Sequence, residues 1–187
     1  RKRLREKWGY TNADEMVLQF DMQRTDELVR GWNDPIYGSS QGLDGIIGEN
    51  EIDLIIGGPP CQAYSVAGRI RDENGMNDDY RNFLFESYLS LVKHYKPKAF
   101  IFENVPGILS AQPNGISIID EIKNKFTEAG YEMLSDIKDA VIDLTEYGVP
   151  QNRKRVIILG LRKSFYGDKT KEYIENFYYS ALPMQKV

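Results

Sequence analysis

The run Glu51-Ile52-Asp53-Leu54-Ile55-Ile56-Gly57, which leads straight into Gly58-Pro59-Pro60-Cys61, constrains the fold more than any other stretch of this chain. Its apolar, β-branched centre reads as a buried strand. The glycines and prolines then stop it, since each proline holds φ at about −65° and lacks the N–H that a ladder or helix would need. Helical periodicity follows: Phe83, Leu84, Tyr88, Leu91, Val92 and Tyr95 share one face of a helix over residues 81–95. Ala99-Phe100-Ile101-Phe102 is a second strand, bounded by Pro97 and by Pro106-Gly107. Ile116, Ile119, Ile122, Lys123 and Phe126 mark a second helix, with Gly130 as its C-terminal stop. Residues 131–142 read as extended and residues 156–161 as another strand. The β-α-β-α-β order predicts an α/β fold with a mostly parallel sheet and helices on both faces. Gly42, Gly45 and Gly48 precede a strand and lack the G-x-G-x-x-G spacing, so they read as a loop and not as a phosphate cradle.

The 187 residues suffice for one domain with its own core. The longest clearly apolar run, residues 156–161, is far short of the ~20 residues of a membrane helix, so no membrane partner is expected. The basic start, Arg1-Lys2-Arg3-Leu4-Arg5-Glu6-Lys7, is followed by charged and polar residues where a secretion signal needs apolar ones. With one cysteine, disulfide scaffolds, thiolate-rich zinc sites and Cys-x-x-Cys redox chemistry are excluded, and no metal is expected. The net charge is −4, yet residues 144–171 carry seven Lys/Arg against two acids. That stretch reads either as a solvated face or as an anion-binding edge.

Ligands of open α/β sheets bind beyond the C-terminal ends of the strands. Cys61 lies four residues past Gly57, and Glu103 directly follows Phe102. If the two strands are neighbours, ~4.8 Å apart, or are separated by one more strand, thiol and carboxyl share a cleft. A free cysteine is commonly a small buried hydrophobe. Here the two prolines stiffen its approach, and Gln62, Tyr64 and Ser65 make its surroundings polar, which suits a presented nucleophile. Glu103 taken alone also fits a helix cap or an ion pair. In extended backbone Gln151, Arg153 and Arg155 would project to one side, where two guanidinium forks can hold a phosphate and a carbonyl edge. An ordinary basic turn is the other reading. The sole histidine, His94, sits at the far end of a helix ~22 Å long, a poor general base for Cys61. A cysteine hydrolase therefore ranks last among the possible functions.

Taken together, Pro59-Pro60-Cys61-Gln62-Ala63-Tyr64-Ser65, Glu103-Asn104-Val105 and Gln151-Asn152-Arg153-Lys154-Arg155 resemble the Pro-Cys-Gln, Glu-Asn-Val and Gln-x-Arg-x-Arg motifs of the cytosine-C5 methyltransferase family. Each motif is short, but their order and spacing are specific, and the resemblance covers roughly residues 20–160. It implies a Rossmann-like S-adenosylmethionine-dependent methyltransferase fold. It also implies that the Cys61 thiolate adds to C6 of a cytosine flipped out of double-stranded DNA, making C5 nucleophilic toward the methyl of S-adenosyl-L-methionine. Glu103, protonated or sharing a proton, would hold N3 and the exocyclic amine, with a carboxyl pKa raised by burial. Arg155 would reach the cytosine O2, Arg153 a nearby phosphate, and Gln62, Ser65, Asn104, Val105 and Gln151 would complete the substrate site. Residues 66–80 resemble the loop that closes over the substrate.

For the cofactor, Asp21 and Met22 match the position that meets the adenine, and Pro60 and Leu84 match positions lining the pocket. The glycine-rich first strand-turn of the family and its target-recognition domain have no counterpart here. Residues 1–187 therefore read as a partial catalytic domain, truncated at both ends and completed by the remainder of its chain or by a complementing subunit. The resemblance places such a protein in the bacterial cytoplasm or at the nucleoid, in restriction-modification. An RNA-directed member of the family, or a silent or split-enzyme subunit, remains open at this point.

Overall fold

The computed structural model describes residues 18–60, 84–112 and 115–180. The chain divides into two compact units, Arg1–Asn50 and Glu51–Val187. In the first, helix α1 (Thr25–Arg30) leads into a hairpin of β1 (Trp32–Asp34) and β2 (Gly38–Ser40) and then helix α2 (Gly42–Ile47). Asp34 Oδ1 accepts the N–H groups of Ile36 and Tyr37 at 2.8 and 3.1 Å, which closes the hairpin turn. Arg24 ties α1 to that turn, reaching Asp34 at 2.6 Å and Glu27 through Nε at 2.8 Å. Phe20 stacks on Trp32 with ring centroids 4.3 Å apart. The segment expected to be a loop at Gly42, Gly45 and Gly48 is instead α2 over most of its length. Close packing explains it: a Cβ on Gly42 would lie 2.4 Å from Val29 O, so only glycine allows this helix to start against the end of α1.

The second unit is built on β3 (Leu54–Gly57), α3 (Leu84–Tyr95), β4 (Ala99–Asn104), α4 (Ile118–Glu128), β5 (Tyr131–Glu132), β6 (Val141–Asp143), β7 (Lys154–Arg162), α5 (Lys163–Tyr166) and α6 (Thr170–Ser180). The sheet order is β3-β4-β7-β5, with β6 also on β7. Strands β3 and β4 are parallel neighbours, Gly57 beside Phe102. The expectation of a mostly parallel sheet is not met, because β7 pairs antiparallel with β4, β5 and β6. The reason is the connection. Parallel neighbours need a crossover of a dozen or more residues, usually a helix. Between β6 and β7 the chain has only a 3₁₀ turn, Leu144–Tyr147, and a short return. The chain therefore doubles back, and β7 inserts itself against the direction of the other four strands. Residues 131–142, expected to be extended throughout, keep strand geometry only at their ends, around the 3₁₀ turn Ile137–Ala140.

Alternation along β4 puts Phe100, Phe102 and Asn104 on one face of the sheet. There Phe100 and Phe102 join Val156 and Ile158 of β7 beneath α3 and α4, with Tyr88, Val92, Ile122 and Phe126 filling the core. Phe100 lies flat over Gly160, where a Cβ would come within 2.1 Å of its ring. Helix α4 is stopped by Gly130 at φ +89°, as its sequence predicts, and is capped by Ser117, which the sequence reading did not single out. On the other face Ile174 of α6 packs with Leu159 and Leu161, flanked by Ala99, Ile101 and Phe177. Among the described residues no helix is long and apolar enough to cross a membrane.

Tyr178 of α6 repairs a gap in the sheet. Its hydroxyl donates to Ile157 O at 2.8 Å and accepts from Leu159 N at 3.0 Å. These groups face the side of β7 where β5 and β6 pair only near its two ends. Tyr178→Phe leaves both without this partner and should destabilise the protein by about 1–3 kcal/mol. Urea unfolding of the two proteins measures the difference.

Candidate active site

The site forms where β3 and β4 end and β7 begins. Glu103 stands opposite Ile157 across the β4–β7 ladder, so Arg155 is its diagonal neighbour on the same face. The two side chains meet: Arg155 Nε lies 2.7 Å from Glu103 Oε1. The pair is partly open, the Glu103 side chain 39% exposed and the Arg155 side chain 20%, so the burial expected for Glu103 is not met: its carboxylate lies at the open end of the sheet. Arg155 also donates through one terminal nitrogen to Lys154 O at 2.8 Å.

Gly58, on the loop leaving β3, makes room for this carboxylate. A Cβ there would stand 2.7 Å from Glu103 Oε2. Asn104, only 4% exposed at the end of β4, faces the same loop. Its amide donates to Pro59 O at 3.4 Å, and its carbonyl oxygen accepts the N–H of Val105 at 2.9 Å. One buried side chain thus links the Gly58-Pro59-Pro60 loop to the Glu103-Asn104-Val105 corner. In this structure Asn104 is a scaffold group of the site, turned toward the loop backbone.

Beneath the loop, Tyr88 of α3 reaches the seam between the parallel strands. Its hydroxyl lies 3.1 Å from Ile55 O and 2.9 Å from Ile101 O and donates between them. Burial pushes the phenol well above its ordinary range, so it stays a donor at neutral pH. The ring also needs Gly57, where a Cβ would meet Tyr88 Cε2 at 2.5 Å. Sequence reading placed Tyr88 on a helix face and missed this role. The available signal was a tyrosine on a buried stripe, whose hydroxyl must find a partner.

The remaining expected residues fall in several places. Cys61, Gln62 and Ser65, together with the loop 66–80, lie outside the described residues. Pro60 is exposed at the last described position before them, and Leu84 opens α3, half-buried. Val105 follows Asn104 into the 3₁₀ turn Pro106–Ser110. Of Gln151, Arg153 and Arg155, expected to share one face, only Arg155 lies within β7, which starts at Lys154. Gln151 is exposed and its N–H turns back to Val149 O at 2.8 Å. Arg153 is half-buried, and its carbonyl accepts from Leu144 N at 2.8 Å. Asp21 and Met22 lie in the first unit, where Asp21 Oδ1 accepts from Gln23 N at 2.9 Å and Met22 O from Thr25 Oγ1 at 2.7 Å. His94 is exposed in the last turn of α3, the end that leads to the start of β4, while Glu103 is near the strand's other end. The basic stretch 144–171 is divided by β7, with Arg153, Lys154 and Arg155 at its start and Arg162 and Lys163 at its end.

Residues 36–185 match the C-5 cytosine-specific DNA methylase family, and the chain belongs to that family. Among its relatives, the Type II methyltransferase M.Bpa9945I of Bacillus paralicheniformis is 46% identical over 142 residues, 70% of this chain and 32% of that protein. The Type II methyltransferase M.XorII of Xanthomonas oryzae pv. oryzae is 38% identical over 117 residues, 63% of this chain and 26% of that one. A crystal structure described as a DNA modification methyltransferase of an E. coli prophage superposes with a TM-score of 0.54 at 30% identity, covering 82% of this chain and 36% of that one. The chain thus spans about a third or less of the length of these relatives.

Gly58→Ala tests the carboxylate geometry. The added methyl must displace the carboxylate oxygen it would meet at 2.7 Å, so a crystal structure of the variant should show the Glu103 carboxylate moved and its contact with Arg155 lengthened. The melting temperature should stay within a few degrees, because Gly58 is exposed.

Proposed function

We propose that the complete protein methylates C5 of cytosine in double-stranded DNA and acts as the modification enzyme of a restriction-modification system. The observation that carries this reading is the Glu103–Arg155 pair at 2.7 Å, set beside the glycine-proline loop that leads into Cys61. A carboxyl and a guanidinium held together on one sheet face offer the acceptor and donor groups that a pyrimidine's exocyclic amine, N3 and O2 call for.

In this reading Cys61, as thiolate, adds to C6 of a cytosine taken out of the stack. Glu103 holds N3 and the exocyclic amine and stabilises the charge that develops on the ring. Arg155 keeps Glu103 in place and turns its remaining donors to O2. Arg153 binds a neighbouring phosphate, and Gln62, Ser65, Val105 and Gln151 border the base. Asn104 and Gly58 position the loop and the carboxylate. After C5 has been methylated, its proton leaves to a base or water, and the electron pair of that C–H bond expels Cys61 from C6.

S-adenosyl-L-methionine supplies the electrophilic methyl group. Asp21 is a chemically suitable group for its adenine. Asp21 commits Oδ1 to its own turn, and its second oxygen is the acceptor we assign to the adenine amine. In the first unit Met22 is half-buried, and in the second Leu84 is half-buried and Pro60 exposed; the resemblance assigns each of the three to the cofactor.

Covalent trapping tests the assignment. The complete protein, with S-adenosylmethionine and duplex DNA carrying 5-fluorocytosine, should form an adduct that survives a denaturing gel and maps to Cys61. Cys61→Ser should form none while keeping the wild-type melting temperature. Glu103→Gln should slow transfer on the order of 100-fold with little change in cofactor affinity. An adduct with RNA alone would reassign the substrate, and none with either would point to a silent or partner-dependent subunit.

A further inference from the structure

We propose that Tyr88 is a positioning residue for the reaction: through Gly57 it fixes where the chain leaves β3, and so how the Gly58-Pro59-Pro60 loop sits against Glu103. The inference rests on the reading of the site given above and adds to it a residue buried in the core.

Gly57 and Gly58 are held from opposite faces of the sheet. A Cβ on Gly57 would lie 2.5 Å from Tyr88 Cε2, and one on Gly58 2.7 Å from Glu103 Oε2. Successive residues of an extended chain turn to opposite faces, so the ring bears on the strand end from the side of α3 and the carboxylate from the other. Asn104 holds the next residue, through Pro59 O at 3.4 Å. Of these three contacts, the one at Gly57 has the least room to yield. Tyr88 is only 3% exposed, and its ring is edge-on to Phe100, Phe102 and Phe126 with centroids 6.2, 5.5 and 6.2 Å away.

The hydroxyl fixes the ring in the remaining direction. A phenylalanine would fill the same space, but the oxygen reaches on to Ile55 O at 3.1 Å and Ile101 O at 2.9 Å. Ala99 N donates to Asp53 O at 2.9 Å, and the parallel register carries that pattern on to Ile101 N with Ile55 O and to Gly57 N with Ile101 O. The two carbonyls are thus the ones that hold the end of β3 to β4, and Ile101 O is the acceptor of the Gly57 N–H. Each already has a ladder partner, so the strands pair without the hydroxyl. What the hydroxyl adds is the placement of the ring under Gly57.

Tyr88→Phe in the complete protein separates placement from packing, since it keeps the ring. Duplex DNA carrying 5-fluorocytosine and saturating S-adenosylmethionine are supplied at a temperature where both proteins are folded. The adduct at Cys61 should then form roughly tenfold more slowly than in the wild type, with the KM for the cofactor within about twofold. Burial keeps the phenol protonated, so the ratio of rates should be the same at about pH 6.5 and pH 8.5. Hydrogen exchange reads the displacement without the reaction: the Gly57 amide should exchange at least about tenfold faster in the variant, while Ile158 of β7 stays within about threefold. As a second variant, Gly57→Ala, which presses on the same ring from the strand, should slow the adduct at least as much. An unchanged rate in either variant, a loss confined to KM, or a ratio that varies with pH would overturn the proposal. So would Gly57 exchange that rises no more than that of Ile158. If the wild type itself forms no adduct, the reaction assigned above fails, and the exchange measurement alone decides whether Tyr88 holds the end of β3.

Discussion

The antiparallel ladder between β4 and β7 is what the site depends on. Glu103 lies near the C-terminal end of its strand, and Arg155 near the N-terminal start of its own. In an all-parallel sheet these two ends lie on opposite edges, and the side chains could not meet. Reversing one strand brings the start of β7 to the end of β4, with Asn104 opposite Val156. The departure from the parallel arrangement is therefore a condition of the Glu103–Arg155 contact. A motif placed just before a strand can join a motif placed just after another only if the two strands run in opposite directions.

The core holds that ladder in register. Phe100 fills the space that Gly160 leaves open on β7, and it stacks on Phe126 of α4 with centroids 4.2 Å apart. Tyr88 packs edge-on against Phe102 at 5.5 Å while its hydroxyl spans β3 and β4. A slip of one residue would turn Phe100 and Phe102 to the opposite face and break both contacts. The same slip would carry Glu103 away from Arg155. Packing on one face of the sheet thus fixes an ion pair on the other.

Much of this was legible in the sequence, for identifiable reasons. The strands at Leu54 and Phe100 are legible as apolar runs bounded by glycine and proline, and the helix through Tyr88 from its period, whereas the sequence leaves open whether the two strands are neighbours, which the parallel register settles. The three motifs identified the family because their chemistry is concentrated in a few residues. The direction of β7 was missed because period two is the same in either direction; the missing helix between Ile142 and Lys154 was the usable sign. Gly42 was misread because a glycine demanded by a neighbour's backbone looks, in one dimension, like a glycine demanded by a loop. The roles of Gly58 and Asn104 depend on contacts with residues distant in sequence, which no local pattern encodes.

The positive stretch of residues 144–171 shows how far charge in sequence can stand from charge in space. Strand β7 has nine residues, so it separates the two basic groups by about 27 Å. At its far end Lys163 meets Glu132 at 2.9 Å, and Arg162 donates to Lys96 O. At its near end Lys154 lies 3.6 Å from Asp143, and Arg155 is taken by Glu103. Each group is partly neutralised where it sits, so what reads as a single anion-binding edge becomes two local structures. The arginine at the near end therefore acts first on the carboxylate beside it, and this end of the strand presents a paired charge in place of a broad positive field.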